Sequence, residues 1–209
     1  MTGSAFKTWV CKKMHFDYHI ISAIAMGIAL SACCGFRIFV PMLAGAVAAY
    51  NHWFSFSADM QWLGTLPAII CFATAAVIEI AAYYFPFLDN ILDAIATPLA
   101  IAAGTILAFA ILPVGNGEPL LRWTTAFVAG GATAGTLHVG TGLLRLFSTK
   151  ATLGTGNPVL ASGENAVAVT ASVLSFIVPV IIATILLLVV VWIGYKGVRR
   201  IGSGKSKML

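Results

Sequence analysis

The sequence predicts an all-α integral membrane protein, a single transmembrane domain over residues 1–209 built from a bundle of about five or six membrane-spanning helices. Three observations favour this fold class. Hydrophobic residues make up 60% of the chain and charged residues only 9%, whereas a soluble domain carries about 25% charged residues. Apolar runs of about 20 residues, the length that crosses a membrane, recur along the chain. The segments between these runs are too short to form a large domain outside the membrane.

The positive charge lies at the two ends of the chain. The net charge is +5, of which residues 1–17 contribute +2 and residues 196–209 contribute +5, so that residues 18–195 sum to −2. Basic residues are enriched on the cytoplasmic side of membrane proteins and attract anionic lipid headgroups. We therefore expect both ends to be basic cytoplasmic tails in contact with membrane lipids, and we expect no nucleic-acid partner.

The first apolar run, from Tyr18 to Tyr50, is too long for one upright crossing. As a straight helix it would measure about 50 Å, against a hydrocarbon core of about 30 Å. The run must tilt strongly, extend beyond the bilayer, or break between Gly35 and Pro41. A Trp-rich connector follows, and then a second run from about Leu63 to Tyr84.

The third and fourth apolar runs differ in the size of their side chains. The third follows Asp89 and Asn90, either of which is a plausible N-cap, and continues to about Leu112. The fourth, from Trp123 to about Phe147, is dense in glycine and alanine between residues 130 and 142. Small residues let helix backbones approach closely, so this helix is predicted to pack against other helices, not lipid.

The segment from Ser148 to Gly163 is polar and is predicted to be irregular. The last apolar run, Asn165 to Tyr195, is again overlong and contains Pro179, so it is a second candidate for a broken or re-entrant helix pair. Two basic tails on one side require an even number of crossings. Asp89-Asn90 and Glu164-Asn165 each open an apolar run after a Gly-rich helix, which raises the possibility of an internal repeat.

Ionisable residues at membrane depth are costly and are candidates for function. Arg37 follows a glycine within the first run, and Glu79 lies well inside the second. A buried pair between these two side chains would satisfy both charges, either to fix the packing of the helices or to form a functional site.

His138 and Arg145 are seven residues apart and share one helix face. Arg145 is near enough to the end of its run to reach the interface. His138 lies among glycines, where it would either bond a neighbouring carbonyl, face a cavity, relay a proton or bind a metal. Asp89 and Asp93 are one helical turn apart, so they would either bind a cation or stabilise a helix N-terminus.

No motif of nucleophilic, metal-dependent or nucleotide-dependent catalysis is visible, so the chain is not predicted to be an enzyme, and no cofactor is indicated. Several short patches nevertheless resemble a bacterial membrane-protein family known as domain of unknown function 4126. They are Gly35-Phe36-Arg37 with Pro41, Glu79 with Tyr84-Phe85-Pro86, residues 88–93 and 95–98, His138 with residues 145–149, and residues 155–159 and 162–165. The resemblance covers about residues 30 to 180 and implies a multi-pass protein of the bacterial cytoplasmic membrane.

Three functions are open at this point. The first is a small transporter or channel-like protein whose polar site binds an ion or an anionic or lipid headgroup. The second is an accessory subunit of a homo-oligomer or a larger membrane complex, and the third is a lipid-modifying enzyme. The residues expected at the polar site are Arg37, Glu79, His138, Arg145, Asn157 and Glu164.

Overall fold

The structure, a computed structural model, describes the backbone of residues 3–82, 86–113, 118–152 and 155–205, and the side chains of residues 18–82, 95–113, 118–152, 155–196 and 199. Within these ranges every regular element is a helix. The α-helices are α1 (Gly3–Cys33), α2 (Phe39–Tyr50), α3 (Leu66–Ala82), α4 (Pro86–Ile111), α5 (Pro119–Ala126), α6 (Ala132–Thr152), α7 (Asn157–Ile177) and α8 (Pro179–Lys205). A 3-10 helix (Ala58–Gly64) precedes α3, and a π-helical turn (Phe127–Gly131) joins α5 to α6.

The first apolar run is broken between Cys33 and Phe39, which is one of the three expected solutions. A Cβ atom on Gly35 would lie 2.5 Å from the carbonyl oxygen of Ala134, so only glycine lets the turn pack this closely against α6. Pro41 falls in the first turn of α2, where the backbone N–H groups have no intrahelical acceptor and proline is tolerated.

This break lies inside the bundle, because α2 turns back along α1. Gly27 in α1 contacts Leu112 at the end of α4, and Gly35 contacts Ala134 farther down the bundle. Gly45 in α2 contacts Leu107, so α2 has returned along the bundle toward the level of Gly27. We call the end of the bundle that contains Trp53, Ala110 and Val178 the Trp53 end, and the end that contains Lys150, Asn157 and Lys196 the Lys150 end.

Close packing of the glycine-rich segment against α4 agrees with the expectation for residues 130–142. A Cβ on Gly104 would lie 2.8 Å from the carbonyl oxygen of Gly130, and a Cβ on Gly135 would lie 2.7 Å from the side chain of Ile101. The π-helical turn at Phe127–Gly131 adds a residue to the helix where its backbone meets α4. Most of the segment is buried, although Ala132 and Val139 face outward.

The last apolar run is broken at Val178, directly before Pro179, and α8 folds back along α7. Phe176 contacts Trp53 at the Trp53 end, whereas Ile193 lies against Gly140. A straight helix would place Ile193 about 43 Å from Glu164, yet Gly140 is only about 7.5 Å along α6 from Arg145, which binds Glu164. The two helices therefore form a tight hairpin.

The first and last helices run in the same direction. Ala25 and Ala29 of α1 pack in one cluster with Ala183 and Leu186 of α8, and Phe36 joins this cluster together with Ile193. The start of α1 and the end of α8 therefore point to opposite ends of the bundle. The tight turn at Val178 adds a reversal of direction that charge counting does not reveal. The expectation that both termini are cytoplasmic stays a prediction, because helix directions within the bundle do not place the membrane.

The number of candidate membrane spans is smaller than the five or six expected. Among the described residues, α7 and the part of α8 from Pro179 to Lys196 are long and apolar enough to cross a membrane. The 3-10 helix and α3 meet at 61° and make a third candidate if they are counted together. On either side of the break, the described apolar helices of the first run, Tyr18–Cys33 and Phe39–Tyr50, are 10–17 residues long.

Two expected element boundaries are also wrong. α4 begins at Pro86, so Asp89 lies within its first turn and is not the N-cap; proline is favoured at this first helical position. α6 continues to Thr152 and α7 begins at Asn157, so most of the segment expected to be irregular is helical. Serine and threonine side chains in this segment donate hydrogen bonds to backbone carbonyls of the preceding turn, as Thr149 does to the carbonyl of Arg145. These polar residues are therefore compatible with a helix.

Candidate functional site

Arg37 is the centre of a buried polar cluster at the break between α1 and α2. Its side chain is fully shielded from solvent. The Nε–H group donates to the side-chain oxygen of Asn165, and Nη2 donates to the carbonyl oxygen of Ala161 at 3.3 Å. Nη2 also lies 3.7 Å from Oε2 of Glu164. The turn of α7 from Ala161 to Asn165 therefore binds the guanidinium that the helix break brings into the bundle.

Glu164 is shared between two arginines. Arg145, on α6, donates from Nε to Oε1 of Glu164 at 3.3 Å and from Nη2 to Oε2. This two-point geometry matches the fork of a guanidinium to the two oxygens of a carboxylate. Since Arg37 contacts the same Oε2 atom, one buried carboxylate lies between two buried guanidinium groups.

Glu79 binds the backbone at the start of α2. Its Oε1 accepts from the N–H of Ile38 at 2.8 Å, and its Oε2 accepts from the N–H of Phe39 at 3.0 Å. A carboxylate at a helix N-terminus satisfies unpaired N–H donors and interacts favourably with the helix dipole. The fold thus places Glu79 beside the two residues that follow Arg37. The hydrogen bonds that Glu79 accepts there are those of a helix cap. Arg37 and Glu79 are close enough to interact electrostatically, and Arg37 also forms an ion pair with Glu164.

His138 holds the turn that carries Arg37. Its ring Nδ1 lies 3.2 Å from the carbonyl oxygen of Gly35. In the tautomer that is protonated at Nδ1, His138 donates a hydrogen bond to this carbonyl oxygen. This is the simplest of the four expectations, a histidine bonded to a neighbouring carbonyl. Among the described residues, no group of three histidine, cysteine or acidic side chains is placed to hold a metal ion.

The structure separates Asn157 from this cluster. Asn157 lies in the first turn of α7, where its Nδ2 donates to the hydroxyl of Thr149 at 3.0 Å and joins the ends of α6 and α7. The side chains of Asp89 and Asp93 lie outside the described residues. Arg37, Glu79, His138, Arg145 and Glu164 are therefore the expected residues that meet around the helix break.

Sequence reasoning missed Asn165 and two buried serines. Ser172 follows Asn165 by seven residues and shares the buried face of α7, and Ser31 lies one turn before the break in α1. Within the described part of the chain, the Ser31 hydroxyl has no hydrogen-bond partner, whereas the Ser172 hydroxyl lies beside the thiol of Cys33. The sequence does contain a signal for Asn165 and Ser172, because polar residues seven positions apart share one face of an apolar helix. This spacing is informative only if α7 begins before residue 165, which the structure shows.

The cluster is balanced in charge and closely bound. Arg37 and Arg145 carry two positive charges, which Glu164 and Glu79 offset. Charges buried in a medium of low dielectric constant persist only when they are paired and hydrogen-bonded. The arrangement offers guanidinium groups and helix N–H donors for an anion, and carboxylates that would have to gain a proton or move aside for it to bind.

Comparison with curated proteins and with solved structures gives no match. The model of one protein family matches residues 24–199, a range that contains every residue of the buried cluster and extends beyond the patches on which the resemblance was based. The chain belongs to the family described as domain of unknown function DUF4126.

Proposed function

We propose that the chain is a small transporter that carries an anion together with a proton, and that Arg37, Glu164 and Arg145 form its binding site. The observation that carries the proposal is one buried carboxylate held between two buried guanidinium groups at a helix break inside the bundle. Helix breaks at mid-depth, with helix N-termini directed at an anionic group, are a recurrent way of building transporter sites.

The shared carboxylate is the coupling element in this proposal. When Glu164 gains a proton, it becomes neutral and its hold on Arg37 and Arg145 weakens. The two guanidinium groups then accept an anion in its place, and the anion and proton leave together when Glu164 is again ionised. Each cycle moves one proton and one anion in the same direction, so no other co-reactant is required.

The buried face of α7 supplies a route toward the Trp53 end. Ser172 and Ser175 continue the line of Asn165 along this face, and both are fully buried. The hydroxyl of Ser172 lies beside the thiol of Cys33, a weak hydrogen-bond partner that water or the transported anion can displace. This polar line supports a path through an otherwise apolar bundle.

The proposal includes a bacterial cytoplasmic membrane that the chain crosses several times. Basic residues Lys150, Lys196 and Arg199 are exposed at the Lys150 end, and the last fourteen residues carry five positive charges. By the positive-inside rule this end faces the cytoplasm. The start of α1 then faces the opposite side, since α1 and α8 run in the same direction.

Reconstituted liposomes test the proposal. Liposomes loaded with a pH-sensitive dye are given an inward proton gradient and chloride, nitrate, phosphate or sulfate outside. We expect the protein to accelerate internal acidification with at least one of these anions, and Glu164→Gln to abolish the acceleration. Asp59→Asn, in the exposed pair with Arg122, is the matched control and should transport like the unaltered protein.

A second variant tests the proposal even if Glu164→Gln fails to fold. Asn165→Asp places a carboxylate beside Arg37 and leaves the Glu164–Arg145 pair intact, so it should fold and slow anion transport. The proposal fails if the unaltered protein acidifies liposomes no faster than protein-free controls with all four anions. It fails also if folded Glu164→Gln transports protons as well as the unaltered protein does.

The accessory-subunit hypothesis is supported by a different observation. Only 11% of the residues of α8 between Pro179 and Lys196 are buried inside the chain, and most of the others expose apolar side chains. If the chain is a subunit, purification in mild detergent should yield a particle much heavier than 21.9 kDa plus its detergent, and the liposome assay should show no transport.

A further inference from the structure

An apolar groove lies on the outer surface of the bundle, apart from the charged cluster. It has a volume of about 630 Å³, within the range of about 300–1,000 Å³ that is usual for ligand pockets. Residues of α4, α6 and α8 form its walls, among them Ile101, Leu144 and Val189. Such a groove would accommodate a hydrocarbon chain and exclude a hydrated ion.

Glycines shape this groove in two ways, by close approach of its walls and by open space at its surface. Gly135, Gly140 and Gly194 line it. A Cβ on Gly140 would lie 2.6 Å from Ile193, so α6 and α8 approach closely there, whereas a Cβ on Gly194 would meet no atom within 4 Å. The groove therefore has room for an added side chain at Gly194 but none at Gly140.

The groove ends at a positive charge. Lys196 lines it, and its Nζ lies 4.5 Å from the ring centroid of Trp192, another lining residue. Arg199, one turn farther along α8, lies over the ring of Tyr195. Among the described residues no acidic side chain lines the groove. The charge at its end thus favours a negatively charged group.

The position of Lys196 along α8 matches the depth of a lipid headgroup. The apolar part of α8 that is long enough to cross a membrane ends at Lys196. Tryptophan and tyrosine are enriched at the membrane interface, and lysine directs its ammonium group toward the headgroups. Val189 and Ile193 then lie at the depth of the acyl chains.

We propose that this groove binds one anionic phospholipid, with an acyl chain between α4, α6 and α8 and the phosphate on Lys196. The lipid fits both properties of the site, because its chain is apolar and its headgroup is negative at the depth of the lysine. A second copy of the chain would fill the apolar part but would leave Lys196 without a counter-charge from any groove residue described.

Native mass spectrometry of the purified protein tests the inference. The protein is incubated with phosphatidylglycerol and phosphatidylcholine of identical acyl chains, and the lipids that remain bound are counted. We expect the unaltered protein to retain phosphatidylglycerol in preference. Lys196→Gln should reduce that preference about fivefold, as expected for one lysine near a charged surface. Lys150→Gln, an exposed lysine of the same end that does not line the groove, should change it much less.

A second pair of variants fills the groove without a change in charge. Gly194→Leu places a side chain in the open floor and should reduce the retention of both lipids, while Gly163→Leu, also a helical glycine with open space around it, should not. Both changes raise helix propensity, so neither should unfold the protein. Equal retention of the two lipids by the unaltered protein, equal losses for Lys196→Gln and Lys150→Gln, or a change in oligomeric mass with Gly194→Leu in place of lost lipid would each overturn the inference.

Discussion

At the scale of single residues, the fold depends on how a few buried charges are satisfied. Glu164 is the acid that links the two buried arginines of the cluster, because both Arg145 and Arg37 lie against it. Glu79 has a separate role, since its two oxygens cap the start of α2. A substitution at either residue would leave buried partners without their counterpart, which is costlier than loss of a surface pair.

Glu164→Gln should lower the free energy of unfolding by about 3–5 kcal/mol, since two buried guanidinium groups lose their shared counter-charge. Asp59→Asn removes the same charge from the exposed pair with Arg122 and should cost at most about 1 kcal/mol. Thermal unfolding of both variants in detergent measures the difference. Equal loss of stability in the two variants would mean that the buried cluster is not held by its charges.

At the scale of the elements, glycines decide which helices touch. Gly104 and Gly130 let the backbones of α4 and the π-helical turn meet, and Gly35 does the same for the helix break against α6. Where a glycine faces open space, as Gly142 does, the same residue type has no packing role. Two glycines on one stretch of helix are therefore expected to respond in opposite ways to the addition of a methyl group.

Gly130→Ala should destabilise the protein by about 1–3 kcal/mol, because the new Cβ would overlap the backbone of Gly104, which cannot move aside as a side-chain tip can. Gly142→Ala has room for its Cβ and should stabilise by up to about 1 kcal/mol through helix propensity. Melting temperatures in one detergent compare the two. The packing argument is wrong if both variants shift the melting temperature in the same direction.

At the scale of the whole molecule, the direction of the helices determines where the ends of the chain lie. α1 and α8 pack side by side in the same direction, and α7 and α8 form a hairpin at Val178. The buried cluster then lies between the helix break and the Lys150 end, while the lipid groove lies outside it, between α6 and α8. A polar centre and a lipid-facing groove on one small bundle are thus kept apart by α6.

A cysteine introduced at Ser4 and one introduced at Ser203 should react with a membrane-impermeant reagent from opposite faces of the membrane. The variants are made in a background in which the four native cysteines are replaced, and labelling of intact cells is compared with labelling of inverted vesicles. We expect the cysteine at position 203 to react only in inverted vesicles. If both positions are labelled from one face, the two ends lie on the same side of the membrane. The chain then crosses the membrane an even number of times, as the basic ends first indicated.

The sequence by itself determined the fold class, the family and most of the polar cluster. Composition favours a membrane protein, and the cost of burying Arg37, Glu79, His138, Arg145 and Glu164 marks each of them as paired or functional. The tertiary structure determined which of these side chains contact one another. Arg37 meets Glu164 and Asn165 because α7 begins at Asn157 and passes the helix break, and residues 128 positions apart in the chain give no local signal of that contact. The direction of α8 was likewise decided by a one-residue turn, since hydrophobic length indicates that a run is too long but not whether it continues or folds back.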